Sequence, residues 1–192
     1  MNAPIDLKMT KAEFLRWVEG QEGRYELKDG RVVLQAGVSR NHYLVRARYL
    51  IALAQRFDTE RWNVGTAVFA VEIGDDIRYP DVFVESAGGD GNARSTSQAV
   101  LLIEVLSPSS VGTDMTVKLA EYTSLPTLLA YIVASQEEPI VWVWLRGAAD
   151  GDRPGAFPAK PVEIAGRERS IDVPAIALSI SLAEIYRGIG QT

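Results

Sequence analysis

The chain of 192 residues contains no cysteine, which excludes disulfides, thiolate metal sites and cysteine nucleophiles. It has a single histidine, His42, so a zinc site built from two or three histidines of one chain is excluded as well. Any metal must then be held mainly by oxygen, which favours Mg²⁺, Mn²⁺ or Ca²⁺. No Walker-type loop is present, and no Gly-x-Gly-x-x-Gly follows a strand-like run, so nothing points to a nucleotide-binding enzyme. No uncharged apolar run approaches membrane-spanning length. The opening residues Met1-Asn2-Ala3-Pro4-Ile5-Asp6 lack the basic-then-apolar order of a signal peptide, so a cytoplasmic protein without a membrane partner is expected. Acid is missing from one long window. Between Asp29 and Asp58 there is none, while Arg31, Arg40, Arg46, Arg48, Arg56 and His42 all fall there. The net charge is −5, yet residues 1–61 carry +3 and the remainder −8. Such a basic window can face phosphates even in an acidic protein, or its arginines can simply reach solvent.

The rest of the composition is that of an ordinary globular protein, 47% apolar and 23% charged, and the length suits one domain spanning 1–192. Thr10-Lys11-Ala12-Glu13 reads as a capping box that opens a short helix burying Phe14, Trp17 and Val18. Two extended runs flank Asp29-Gly30, giving a β-hairpin from Tyr25 to Leu34. From about Asn41 to Phe57, Tyr43, Leu44, Ala47, Leu50, Ile51, Ala54 and Phe57 recur at helical spacing, with His42 and Arg46 at the border of that face. Strand-like runs follow at Val64–Ile73, Ile77–Glu85 and Val100–Leu106, the last two separated by a Gly- and Ser-rich loop. A helix is expected from about Asp114 to Thr123, then buried strands at Leu128–Ala134 and Ile140–Leu145. A hairpin over Val162–Val173 and a short helix near Leu182–Tyr186 close the chain. The order strand, helix, strand from Val100 to Ala134 suggests a parallel crossover, hence an α/β fold.

Glu104 interrupts Val100-Leu101-Leu102-Ile103-Glu104-Val105-Leu106, a run otherwise apolar on both faces. A carboxylate on such a strand must be protonated, paired with a cation or bound to a metal, unless it leans into water at the strand end. Asp81 follows Pro80 and starts Val82-Phe83-Val84. The separation of the two acids allows their strands to lie side by side, with Cβ atoms roughly 5 Å apart. Two carboxylates that close repel unless something positive lies between them, and a hard cation answers that need.

Arg78-Tyr79-Pro80-Asp81 followed by Ile103-Glu104-Val105-Leu106-Ser107-Pro108-Ser109 resembles the signature of the PD-(D/E)XK nuclease superfamily. More narrowly it resembles that superfamily's bacterial branch of restriction-endonuclease-like proteins, formerly catalogued as a domain of unknown function. The hairpin around Asp29-Gly30, the early helical histidine, and Asp114, Lys118 and Tyr122 fit the same branch in the same order, over about residues 9 to 186. The resemblance implies a restriction-endonuclease-like core, a mixed central sheet flanked by helices with an N-terminal helix and hairpin. It implies that Asp81, Glu104 and the main-chain carbonyl of Val105 ligate Mg²⁺ or Mn²⁺, and that Glu26 completes the acidic set. It implies DNA as substrate and a homodimer, since one such site cuts one strand. The superfamily lysine would stand two residues after the acid, where this chain has Leu106, so Lys118 is the replacement that the branch implies. From spacing alone, Lys118 could equally form an exposed pair with Asp114. His42 and Arg46 are candidate phosphate contacts, or else a packing histidine and a solvated arginine; Glu26, opposite the core-facing Tyr25 and Leu27, could point to solvent. Trp142 and Trp144, alternating on a late strand, read as core or a subunit contact. Two other readings stay open: an inert nucleic-acid-binding or interaction module on the same fold, and a metal-free glycosidase using the two acids.

Overall fold

The computed structural model describes residues 3–107, 113–149 and 155–190. The elements run in the order β1 (Ala3–Lys8), α1 (Lys11–Trp17), β2 (Tyr25–Lys28), β3 (Arg31–Leu34), α2 (Arg40–Arg56), β4 (Trp62–Thr66), β5 (Ala70–Ile73), β6 (Asp76–Arg78), β7 (Val82–Ser86), β8 (Ser95–Thr96) and β9 (Ala99–Val105). Then come α3 (Lys118–Thr123), β10 (Ala130–Ala134), β11 (Ile140–Leu145), β12 (Val162–Ala165), β13 (Ser170–Val173), β14 (Leu178–Ser181) and α4 (Leu182–Ile185). The strands form two six-stranded sheets, ordered β1-β3-β2-β6-β5-β8 and β12-β11-β10-β9-β7-β4, beside the hairpin β13-β14.

Both sheets are mixed, the first through the short parallel pair β5-β8 and the second through its centre. β9 and β10 are parallel and linked through α3, as the strand-helix-strand pattern predicts, while β7 pairs antiparallel with β9. Both central strands are buried along their whole length, which their nearly continuous apolar sequences require. α2 covers one face, packing Val45, Tyr49, Ala52 and Leu53 against Val82, Leu101, Ile103 and Val105. Leu102, Leu106, Tyr122, Val133 and Trp144 share a cluster on the other face, where α3 sits. Residues two apart on a strand share a face, so Glu104 points with Leu102 and Leu106 toward α3.

Several boundaries differ from the sequence expectation. The run Val64–Ile73 is two strands in different sheets, reversed by a turn in which Val68 and Phe69 both donate to the Thr66 carbonyl. Ile77–Glu85 divides likewise into β6 and β7, because Pro80 has no N–H to continue the ladder. Regular α-helix starts only at Lys118, after a π-helical turn over Thr113–Val117. The expected hairpin at Val162–Val173 is absent: β12 pairs with β11, and β13 with β14. The buried face of α2 is also not the expected one. Tyr43 and Ile51 are 51% and 55% exposed, and the stripe through His42, Val45, Tyr49 and Leu53 faces the sheet instead. The helix carries two apolar stripes, and shape against the sheet selects one. The capping box at Thr10 and the Tyr25–Leu34 hairpin are present as expected, with Phe14 buried and Trp17 half-buried. None of the described helices is long and apolar enough to cross a membrane.

Gly65 in β4 stands opposite Phe83 in β7, and the phenyl ring occupies the space a Cβ would take. Gly65→Ala therefore overpacks the sheet; the expected loss is about 1–3 kcal/mol in urea unfolding. An unchanged midpoint would show that the ring has room to move.

Candidate active site

The antiparallel register pairs Val82 with Ile103. Carried one residue further it sets Asp81, just ahead of β7, opposite Glu104 near the end of β9. The Val105 N–H donates to Asp81 Oδ2 at 2.9 Å and fixes this junction. Asp81 and Glu104 are 5% and 4% exposed, so each needs a compensating partner. The partners arrive from opposite faces of the sheet. From α2, His42 Nε2 lies 3.1 Å from Asp81 Oδ2, and Arg46 Nη1 lies 3.8 Å from Oδ1. From α3, Lys118 Nζ donates to Glu104 Oε1 at 2.9 Å and the Tyr122 hydroxyl donates to the same oxygen at 2.7 Å.

Electrostatics follow from these contacts. Burial alone would raise the Asp81 carboxyl; the hydrogen bond and charge of His42, the Val105 N–H and the Lys118 ammonium outweigh it and hold the group below the ordinary carboxylate range. Tyr122 is pushed well up, by burial first and then by the charge of Glu104. Its phenol therefore stays protonated, a fixed donor to the carboxylate.

Glu26 does not point to solvent. It is 3% exposed and accepts from Arg78 Nη1 at 2.9 Å, Gln35 Nε2 at 3.1 Å and the Tyr79 N–H at 3.3 Å. That side of the hairpin is covered because Arg78, at the end of β6, lies against Glu26 and is held there by Glu121 of α3. Glu26, His42, Asp81, Glu104, Val105 and Lys118 all line one open cleft. Arg46 reaches Asp81 from beside that cleft rather than from its lining. Leu106, at the usual lysine position, is 8% exposed and belongs to the core around Tyr122. Lys118 enters from the helix over that same face, so its ammonium serves Glu104 from the side that a lysine at 106 would have used. Pro108, Ser109, Ser110 and the Asp114 side chain lie outside the described residues.

Sequence reasoning passed over Arg78, Gln35 and Glu121. Arg78 is 3% exposed and holds Glu121 as well as Glu26, with Nε at 2.9 Å and Nη2 at 2.8 Å. The signal that singled out Glu104, a charge within an extended run, also marked Arg78, but nothing local in the chain reveals its distant partners.

A divalent ion is tested here by its donors. Among the described residues no three His, Asp or Glu side chains are gathered as a cage. The cleft instead offers Asp81 and Glu104, with Val105, whose N–H donates to Asp81, lining the same space. One or two carboxylates with the remaining positions left to water is the Mg²⁺ pattern, so the residues fit a hard, partly hydrated ion.

A family model described as "Uma2: Putative restriction endonuclease" matches residues 12–182. The chain belongs to the Uma2 family. Two proteins of Synechocystis sp., both described as uncharacterized, are similar to it. One, slr1290, is 27% identical over 188 residues, covering 95% of this chain and 93% of that protein. The other, sll1609, is 26% identical over 133 residues, covering 67% of this chain and 75% of that protein. The crystal structure of "a putative nuclease belonging to DUF820" from Anabaena variabilis superposes with a TM-score of 0.70 at 15% identity, covering 93% of this chain and 98% of that one. At this identity the superposition establishes the fold, an α/β architecture of large mixed sheets flanked by few helices.

The lowered Asp81 value carries a sign for stability. A carboxyl depressed in the folded state contributes stability above its unfolded value, roughly 3.9, and loses it as pH falls through the folded value. The stability gap between wild type and Asp81→Asn should be full above about pH 5 and shrink below about pH 4. Urea titrations across that range measure it, and a gap constant down to pH 3 would contradict the assignment.

Proposed function

We propose that this Uma2 protein is a divalent-metal-dependent endonuclease that hydrolyses DNA phosphodiester bonds at the cleft between α2 and α3. The observation that carries the reading is the 2.9 Å contact of Lys118 with Glu104, which places an ammonium beside the acidic pair although the motif lysine is replaced by Leu106. Asp81, Glu104 and the Val105 carbonyl would hold Mg²⁺ or Mn²⁺. Bound there, such an ion lowers the pKa of a water and offsets charge on the phosphate. Lys118 sits where it can orient the attacking water and face negative charge developing on the phosphorus oxygens. Tyr122 fixes the Glu104 carboxylate, and His42 fixes Asp81, so neither acid has to reorganise as the reaction proceeds. Water attacks phosphorus in line and one P–O ester bond breaks, the proton of the water passing ultimately to the departing alkoxide. Arg46, from the acid-free window, supplies positive charge on the α2 side for the DNA backbone, and His42 lines the cleft beside it as a phosphate contact. A single cleft cuts one strand, and a homodimer would supply the second cut; the whole chain acts as one domain in this reading.

A second reading has its own support. Lys118, Tyr122, His42 and the Val105 N–H together already balance both acids, an arrangement that an inert nucleic-acid-binding module could keep for stability.

Nicking of supercoiled DNA in Mg²⁺ or Mn²⁺ separates the two. Asp81→Ala, Glu104→Ala and Lys118→Ala should each lose at least about a hundredfold in rate, as expected when a ligand or a group acting on transition-state charge is removed. Equal rates in wild type and Asp81→Ala would sink the nuclease reading. Mn²⁺ should also raise the thermal midpoint of the wild type and not of Asp81→Ala; a metal-independent midpoint together with DNA binding that weakens steeply with salt would favour the inert module.

A further inference from the structure

Arg78 opens the segment Arg78-Tyr79-Pro80-Asp81, yet neither metal binding nor catalysis as drawn above employs it. Its side chain is 3% exposed and all three guanidinium nitrogens are engaged. Nη1 holds Glu26 of β2, while Nε and Nη2 fork onto both oxygens of Glu121 in α3. Arg78 is also joined through two residues to Asp81. One guanidinium therefore joins β2 of the first sheet to α3, two of the elements that feed the cleft.

The helix needs such a tether. α3 has six residues, too few to be stable on its own, so its position must come from tertiary contacts. Tyr122 anchors it in the core, edge-on to Tyr131 at 5.2 Å. Its hydroxyl on Glu104 and Leu119 against the core hold the same helix, and the forked ion pair at the neighbouring Glu121 adds a directional hold from the first sheet. Lys118 lies one turn earlier on the same helix, so its reach to Glu104 follows from that setting. We infer that Arg78 is a positioning residue: it turns Glu26 into the cleft and sets α3 so that Lys118 stands on Glu104. Its catalytic consequence rests on the nuclease reading above, but its effect on Lys118 does not. Lysine at this position would keep the charge and lose the fork, and a point charge cannot hold Glu26 and both Glu121 oxygens in the same geometry.

The test reads Lys118 directly. Intact wild type, Arg78→Lys, Glu121→Gln and Glu26→Gln proteins are pulsed with acetic anhydride, and acetylation of Lys118 is quantified by mass spectrometry, alongside thermal midpoints and nicking kinetics. Lys118 should label about tenfold faster in Arg78→Lys and in Glu121→Gln than in wild type, through local release of α3. Glu26→Gln should leave its labelling unchanged. In Arg78→Lys, kcat should fall roughly 10- to 100-fold, the usual cost of losing an outer-shell partner, while KM for DNA moves less than about threefold. Wild-type labelling of Lys118 in a folded Arg78→Lys protein overturns the proposal. Should Arg78→Lys fail to fold, Glu121→Gln decides it by the same criterion. Absence of nicking by the wild type would count against the nuclease and leave the labelling result standing.

Discussion

Two carboxylates buried at one end of a sheet are the constraint around which this protein is arranged. Ionised acids in a water-poor site are costly unless cations and donors surround them. The second sheet is apolar on both faces and cannot supply those partners itself. They come from the helices that cover it: His42 and Arg46 from α2, Lys118 and Tyr122 from α3. The acids thus tie the covering helices to the sheet at this end of the molecule.

The same constraint gives the cleft its chemistry. Partners that reach across the sheet edge leave a hollow lined by acids, an ammonium and an imidazole, and the N-terminal hairpin closes one side through Glu26. Because each acid is already held by rigid neighbours, the site is preorganised, and preorganised charge is the main resource of phosphoryl-transfer catalysis. The chain belongs to the Uma2 family and shares its fold with the Anabaena variabilis structure. Leu106 stands where the superfamily motif has lysine, and in the proposed nuclease reading Lys118 takes that role. Positions 104 and 106 share a face, so a helix lying on that face can present the ammonium that the strand does not.

Much of this was legible before any coordinates. Glu104 stood out because its neighbours are apolar on both sides of the strand, and the parallel crossover after it followed from element order. Other features resisted reading for identifiable reasons. The turn at Thr66–Phe69 contains neither glycine nor proline, and its exposed Val68 looks like a strand residue. α2 has two apolar stripes of similar strength, and only the sheet's shape chooses between them. A hairpin read alone has an outer face through which Glu26 can reach solvent; Arg78 and α3, distant in the chain, cover that face.

By itself the sequence determined the kinds of atom available: no thiol, one imidazole, and carboxylates placed within apolar strands. Those facts limit any bound metal to a hard ion and mark Asp81 and Glu104 as groups in need of compensation. Tertiary structure decided which residues provide it. Lys118, Tyr122, His42 and Arg78 are separated along the chain from the acids they serve, and their reach depends on helix placement and sheet order. Local propensity does not encode these distances, because a side chain's partner across a packed layer is set by how whole elements stack.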